Sequence, residues 1–262
     1  MNRETIRRQL PSLLLTALFL LAWELLARHM NAAYILPSPT QIVRRIYELR
    51  KPLLFVHLPA TMAVVAVSLL LSLLLGIFLA ILMDQSKTAE QALYPLLVAS
   101  QTIPTTALAP LFVLWLGYGI WSKVLAAVLM TFFPIAVTLS DGFRAIPPEM
   151  TELMQTLGAT RWQLFRKLKL PAVLPYFFTA IRMAIPLSVI GAAIGEWLGA
   201  QAGLGYFSRR MMTQLDGAGV FAPIVLLSLA AMLLTEFAKR IEQRALRFRN
   251  HGKTEQDSKQ RR

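Results

Sequence analysis

Charged residues cut the chain into long apolar stretches. None falls between His57 and Asp84, and none between Gln91 and Ser122. A helix needs roughly 20 residues to cross a bilayer, so the first stretch predicts one span and the second is too long for one straight span. Six spans follow from the pattern: Pro11 to Ala27, His57 to Asp84, a third beginning at Tyr94-Pro95 and ending in the turn Gly117-Tyr118-Gly119, Val124 to Ser140, Tyr176 to about Ala200, and Gly217 to Thr235. Between the first two, Leu36 to Thr40 reads "LPSPT". Its two prolines predict extended chain, followed by a surface helix from Thr40 to Leu49.

One polar interlude breaks this pattern. After Pro147-Pro148, residues Met150, Leu153, Met154 and Leu157 recur at i, i+3, i+4 and i+7, one face of a helix. Gly158 permits a left-handed stop. Thr160 and Gln163 have the spacing of a capping box and predict an immediate second helix, with Trp162, Phe165 and Leu168 as its apolar stripe. Pro171 and Pro175 are expected to end that helix before the fifth span. A helical hairpin of this kind either lies on lipid or fits a groove in a partner protein. The break at Gly158 and the acidic first half, Glu149 and Glu152, favour the groove.

Composition supports the membrane reading: 56% of the 262 residues are hydrophobic and 16% charged, against about a quarter charged in soluble domains. The net charge of +13 would suggest nucleic acid in a soluble protein. Here cytoplasmic accumulation of Lys and Arg explains it without such a partner. With the N-terminus inside, the inner segments carry more than twice as many Lys and Arg as the outer ones, and they include the hairpin. The cluster Arg44 to Lys51 falls outside. Arg3, Arg7 and Arg8 before the first apolar run also fit a signal peptide, but no small-residue cleavage site follows, so an uncleaved span is expected. The chain divides into a cytoplasmic N-terminus (1–10), a six-span membrane domain (11–240, with the polar loop at 147–175) and a disordered cytoplasmic tail (241–262).

Candidate chemistry is sparse. There is no G-x-x-x-x-G-K-[ST], so ATP-driven work would need a separate subunit. His29, His57 and His251 lack ligand spacing, no metal site is expected, and no G-x-S-x-G elbow suggests an enzyme. Glu196 lies inside a span, where a carboxylate must face the bundle interior or water; it lines a path, locks an outer gate, or is structural. Arg182 in the same span can snorkel toward the cytoplasm. Gly191, Gly195 and Gly199 form a small-residue ridge for close helix packing, within the subunit or across a dimer. Gln101, Thr102, Pro104, Thr105, Thr106 and Pro110 put polar groups and helix breaks in the third span, as a pathway wall or a kinked packing helix would.

The hairpin resembles the cytoplasmic EAA loop of permease subunits in bacterial ABC importers. Glu152 and the Gly158 six residues on match that pattern, and "LGATRWQLFRKLKLPAVLP" is similar to its continuation; Leu153 and Met154 stand where the family has alanines. "ILPSPTQIV", "PTTALAPLFVLWLGYG", "FFPIAVTLSDGF" and "IGEWLGAQAGLGY" extend the resemblance over roughly Leu36 to Leu234, within the nitrate, sulfonate and taurine branch. "ALAPLFVLWLGYGIWSKV" and "GAAIGEWLGAQAGLGYF" are most similar to the thiamine-precursor (formylaminopyrimidine) permeases. The resemblance implies an all-α membrane protein of six transmembrane helices with a type I ABC importer-like permease fold, in a prokaryotic cell membrane. It implies that Glu149, Glu152, Gln155, Gly158, Ala159 and Trp162 couple to an ATPase dimer, which holds ATP and magnesium; this chain holds no cofactor. It also implies an extracytoplasmic binding protein and a second permease copy in the lipid. The implied cargo is a thiamine pyrimidine precursor, with sulfonate or taurine, nitrate or riboflavin as alternatives. Outside this resemblance stand a channel or scaffold without an ATPase, and an intramembrane enzyme.

Overall fold

The computed structural model describes residues 3–246. It contains α1 (Arg3–Met30), α2 (Pro39–Glu48), α3 (Arg50–Gln85), α4 (Lys87–Ser100), α5 (Thr105–Leu116), α6 (Ile120–Arg144), α7 (Pro148–Thr156), α8 (Arg161–Gly199), α9 (Leu204–Thr213) and α10 (Gly217–Ala245). No strand occurs among the described residues. Five helices are long and apolar enough to cross a membrane, and the pair α4 and α5, bent by 93°, is long and apolar enough only when taken together as one broken span.

The third span is broken, as its polar groups and prolines suggest, but it does not begin at Tyr94. Helix α4 starts earlier, at Lys87, where the Ser86 hydroxyl accepts the Ala89 N–H at 3.2 Å. The chain then leaves helical geometry at Gln101 to Pro104. Pro104 causes the break, since the residue before a proline avoids the α region. Pro95 and Pro110, by contrast, are carried inside α4 and α5.

Helix α6 is the central element, packed between α3 and α8. Small residues make this possible. Ala127, Ala136, Ala180, Ala184 and Ala192 are fully buried. A methyl group added at Gly191 would lie 2.6 Å from the Ala127 Cα, and one at Gly195 would lie 2.8 Å from the Lys123 Cα. In lipid there is no hydrophobic force between apolar helices, so close backbone approach and interhelical hydrogen bonds hold them together. One such bond joins the Ser72 and Thr131 hydroxyls of α3 and α6. The ridge of Gly191, Gly195 and Gly199 thus packs within the subunit: the first two meet α6, and Gly199 meets Val113 of α5.

Helix α1 is peripheral and mostly exposed along its apolar length. It is pinned near its end, where Trp23 Nε1 donates to the Pro37 carbonyl (3.1 Å) and Glu24 accepts from the Thr40 N–H (3.1 Å) and hydroxyl (2.7 Å). Helix α2 forms where the surface helix is expected, with a reciprocal capping box between Ser38 and Gln41. At the other terminus, α10 continues to Ala245, five residues into the segment expected to be a disordered tail; 247–262 lie outside the described residues.

A second expectation also fails. Pro171 and Pro175 do not stop the second hairpin helix: residues 161–199 are helical without interruption. For Pro171 the reason is a π-helical turn at Phe165–Lys169, closed by the Leu170 N–H on the Phe165 carbonyl, whereas Pro175 is carried inside the following α-helical stretch. A proline collides with the carbonyl four residues earlier in an ordinary helix. For Pro171 that carbonyl belongs to Lys167, inside the widened turn. The same device recurs at Leu53–His57, just before Leu58-Pro59.

Candidate functional site

The hairpin sits at one end of the bundle. Helix α7 buries no residue. It ends in a Schellman closure: Gly158, at φ +78°, donates its N–H to the Gln155 carbonyl (2.9 Å), and Ala159 donates to the Met154 carbonyl (3.0 Å). Thr160 then caps α8, with its hydroxyl accepting the Gln163 N–H (3.2 Å) and its own N–H donated to Gln163 Oε1 (2.9 Å). Both turn signals read in the sequence form as expected.

The result is a compact but uncovered element. Glu149, Glu152, Gln155, Gly158 and Trp162 are exposed and Ala159 is half-buried. Among the apolar side chains, Leu157 is 76% and Trp162 66% exposed, and Met150 and Leu153 are also exposed. A nine-residue helix is marginal alone in water, so α7 depends on its closure at Gly158 and on whatever it meets. Phe165 anchors the hairpin, stacked between Trp162 (ring centroids 6.1 Å) and Phe143 of α6 (6.4 Å).

Ion pairs tie the same end of the bundle together. Lys169 Nζ donates to both oxygens of Asp84, at 2.7 and 2.8 Å. Arg144 pairs with Glu90 of α4. Arg182 lies 3.2 Å from Glu242 of α10, so it reaches toward this end and finds a carboxylate there.

The opposite end holds Glu196, which is 1% exposed. It faces the turn into α9, not an open path. Three successive backbone N–H groups there find side-chain acceptors: Gly203 on His57 Nδ1 (3.2 Å), Leu204 on Thr61 Oγ1 (2.8 Å) and Gly205 on Glu196 Oε2 (2.8 Å). These are the unpaired donors at the start of a helix, capped by α3 and α8. Glycine is needed at 203, where φ is +120° and an added methyl carbon would lie 2.2 Å from the Glu196 carboxyl carbon. Gln101, Thr102 and Thr105 stay together at the break between α4 and α5, separate from this cluster; Thr102 Oγ1 caps the Ala99 carbonyl (2.8 Å). Next to the break, Thr106 joins Pro186, Ile190, Trp197, Ile224 and Met232 around a largely apolar concavity of about 1220 Å³ between α8 and α10. No group of three or more potential metal ligands occurs among the described residues.

Residues 72–247 match the family described as "Binding-protein-dependent transport system inner membrane component". The chain belongs to this family. It is an ABC importer permease subunit, a multi-span membrane protein that acts with ATPase and binding-protein partners. It is 55% identical, over 232 residues, to the formylaminopyrimidine transport permease protein ThiX of Halalkalibacterium halodurans, covering 88% of this chain and 93% of that one. It is 35% identical to the riboflavin transport system permease protein RibX of Chloroflexus aurantiacus, covering 82% and 81%. Among solved structures, a chain of the inward-facing MetNI methionine ABC transporter superimposes with a TM-score of 0.63 at 20% identity, covering 79% of this chain and 97% of that one. At that identity the likeness concerns the fold, which is that of an importer permease.

Several residues of the site escape sequence reading. Asp84 and Lys169 appear there only as a span boundary and one of several loop cations. His57 and Thr61 look like a scattered histidine and a span threonine. Their partners lie 85, 146 and 143 residues away, and no local pattern reports contacts at such separations.

Proposed function

We propose that this chain carries a thiamine pyrimidine precursor of the formylaminopyrimidine class across the cell membrane, with the hairpin of α7 and the start of α8 as the docking element for the ATPase. The observation that carries the docking reading is α7 itself: a helix closed at its C-terminal end, burying nothing, with apolar and acidic side chains exposed together. The cargo reading is supported by the 55% identity to ThiX over nearly the whole chain. Sulfonate, taurine, nitrate and riboflavin remain the competing cargoes, as the functions named for more distant relatives.

In this reading the N-terminus and the hairpin face the cytoplasm, which the Lys and Arg distribution supports. Two copies form the pathway, with the concavity between α8 and α10 and the break at Gln101 to Thr105 turned toward it. Glu149, Glu152, Gln155, Gly158, Ala159 and Trp162 contact the ATPase, which binds ATP and magnesium. Closure of the ATPase pair moves the hairpins, and the packed bundle switches between two arrangements.

The test is affinity purification of the tagged chain in mild detergent, followed by mass spectrometry of retained proteins and of the binding protein's ligand. Retention of an ATPase, lost with Glu152→Lys or Gly158→Pro while membrane insertion persists, is the expected result. A binding protein loaded with a sulfonate would overturn the cargo. Recovery of the chain alone, under conditions that preserve a control importer, would overturn the docking reading.

A further inference from the structure

The hairpin has no flexible connection to the bundle on its C-terminal side. From Arg161 to Gly199 the chain is helical throughout, so any displacement of the hairpin must pass through the π turn at Phe165–Lys169. A π turn is a locally widened helix with poorer hydrogen-bond geometry, and such turns gather at functional positions. Here it lies at the junction between the exposed hairpin and the buried span.

Two contacts hold this turn, one at each end. Phe165, its first residue, stacks on Phe143 of α6. Lys169, its last, gives two hydrogen bonds to the carboxylate of Asp84 in the final turn of α3. The Asp84 and Lys169 side chains are 11% and 21% exposed. The stacking contact is apolar and can slide. The ion pair cannot: Lys169 reaches both carboxylate oxygens, and parting the pair strands a largely buried charge. Helices α3 and α8 are otherwise held mainly through α6 between them, so this pair is a direct tie between the two outer helices of the core at the hairpin end.

We infer that Asp84 and Lys169 are positioning residues of the transport cycle, the contact through which displacement of the hairpin is passed to α3 as well as α8. The inference rests on the docking reading above. Without the pair, the hairpin turns about the π segment and α3 stays behind; the ATPase still binds and hydrolyses ATP, but the bundle does not complete its switch.

The experiment uses the complete transporter, with its ATPase and binding protein, in proteoliposomes. ATPase retention, ATP hydrolysis and uptake of the binding protein's own ligand are measured together for wild type, Asp84→Asn, Lys169→Met and the exchange Asp84→Lys/Lys169→Asp. The expected result is unchanged ATPase retention and hydrolysis in both single variants, with at least a tenfold fall in uptake per ATP, and recovery of a substantial part of it in the exchange. Wild-type uptake per ATP in an assembled Asp84→Asn transporter overturns the inference and leaves docking intact. Loss of assembly in the single variants that the exchange does not repair also overturns it, by showing a merely structural contact. A wild-type chain that retains no ATPase overturns the docking reading and this inference with it.

Discussion

Gly158→Ala isolates the contribution of one backbone conformation. Gly158 sits at φ +78°, and a methyl group added there meets no atom within 4 Å. The substitution therefore creates no clash and loses no contact. Its cost is the left-handed conformation of an L-residue, about 1–2 kcal/mol. The Schellman closure of α7 carries that cost, and α7 buries nothing, so the effect is confined to local opening of the hairpin. An energy of this size corresponds to roughly a 5- to 30-fold change in the local equilibrium. Hydrogen exchange at the amides of 153–160 is expected to accelerate by that factor, and ATPase retention to fall with it, while the thermal midpoint of the bundle in detergent stays unchanged. Gly158→Asn, which tolerates positive φ better, should fall between the two. Wild-type exchange and wild-type ATPase retention in Gly158→Ala would refute the argument, and so would a large fall in the thermal midpoint.

Gly191→Ala should behave oppositely, lowering global stability by about 1–3 kcal/mol through overpacking, because its methyl group lands 2.6 Å from the Ala127 Cα; a thermal melt that matches wild type would contradict this packing. Glu196→Ala removes the acceptor of the Gly205 N–H and should cost about 1–3 kcal/mol for a stranded donor, whereas Glu196→Gln keeps an acceptor and should lose less; equal losses would show that charge, not capping, matters there. Hydrogen bonds from Arg45, then Arg44, hold the Glu48 carboxyl below its ordinary value. A depressed carboxylate contributes stability above its unfolded value and loses it as pH falls through the folded one, so exchange protection of α2, corrected for intrinsic rates, should be flat from pH 6 to 8 and decline only in acid. A decline near neutrality would assign the protection to another group.

The hairpin was legible because its signals are local. Met150, Leu153, Met154 and Leu157 mark one helix face, Gly158 the left-handed stop, and Thr160 with Gln163 the next start, all within 14 residues. The spans were legible for the same kind of reason: hydrocarbon demands about 20 residues of internally bonded apolar helix, and a run free of charge reports this without any partner. The prolines were misread, because a π turn two residues before Pro171 removes the collision that makes proline a stop. Proline residues at 95, 110 and 175 likewise failed as punctuation.

By itself, then, the sequence determined the helical class, the places of the long apolar helices and the position and shape of the exposed hairpin, since each follows from interactions within a few turns of chain. Tertiary structure alone decided which faces of the spans meet. Gly191 could have served a dimer contact but lies on α6, and Glu196 could have lined a path but caps α9 beside His57 and Thr61. It also decided that Asp84 holds Lys169. A residue in a membrane helix has a similar apolar signature whether it faces lipid, a neighbouring helix or a partner subunit, because lipid and protein interior are alike in polarity; only the packing distinguishes them.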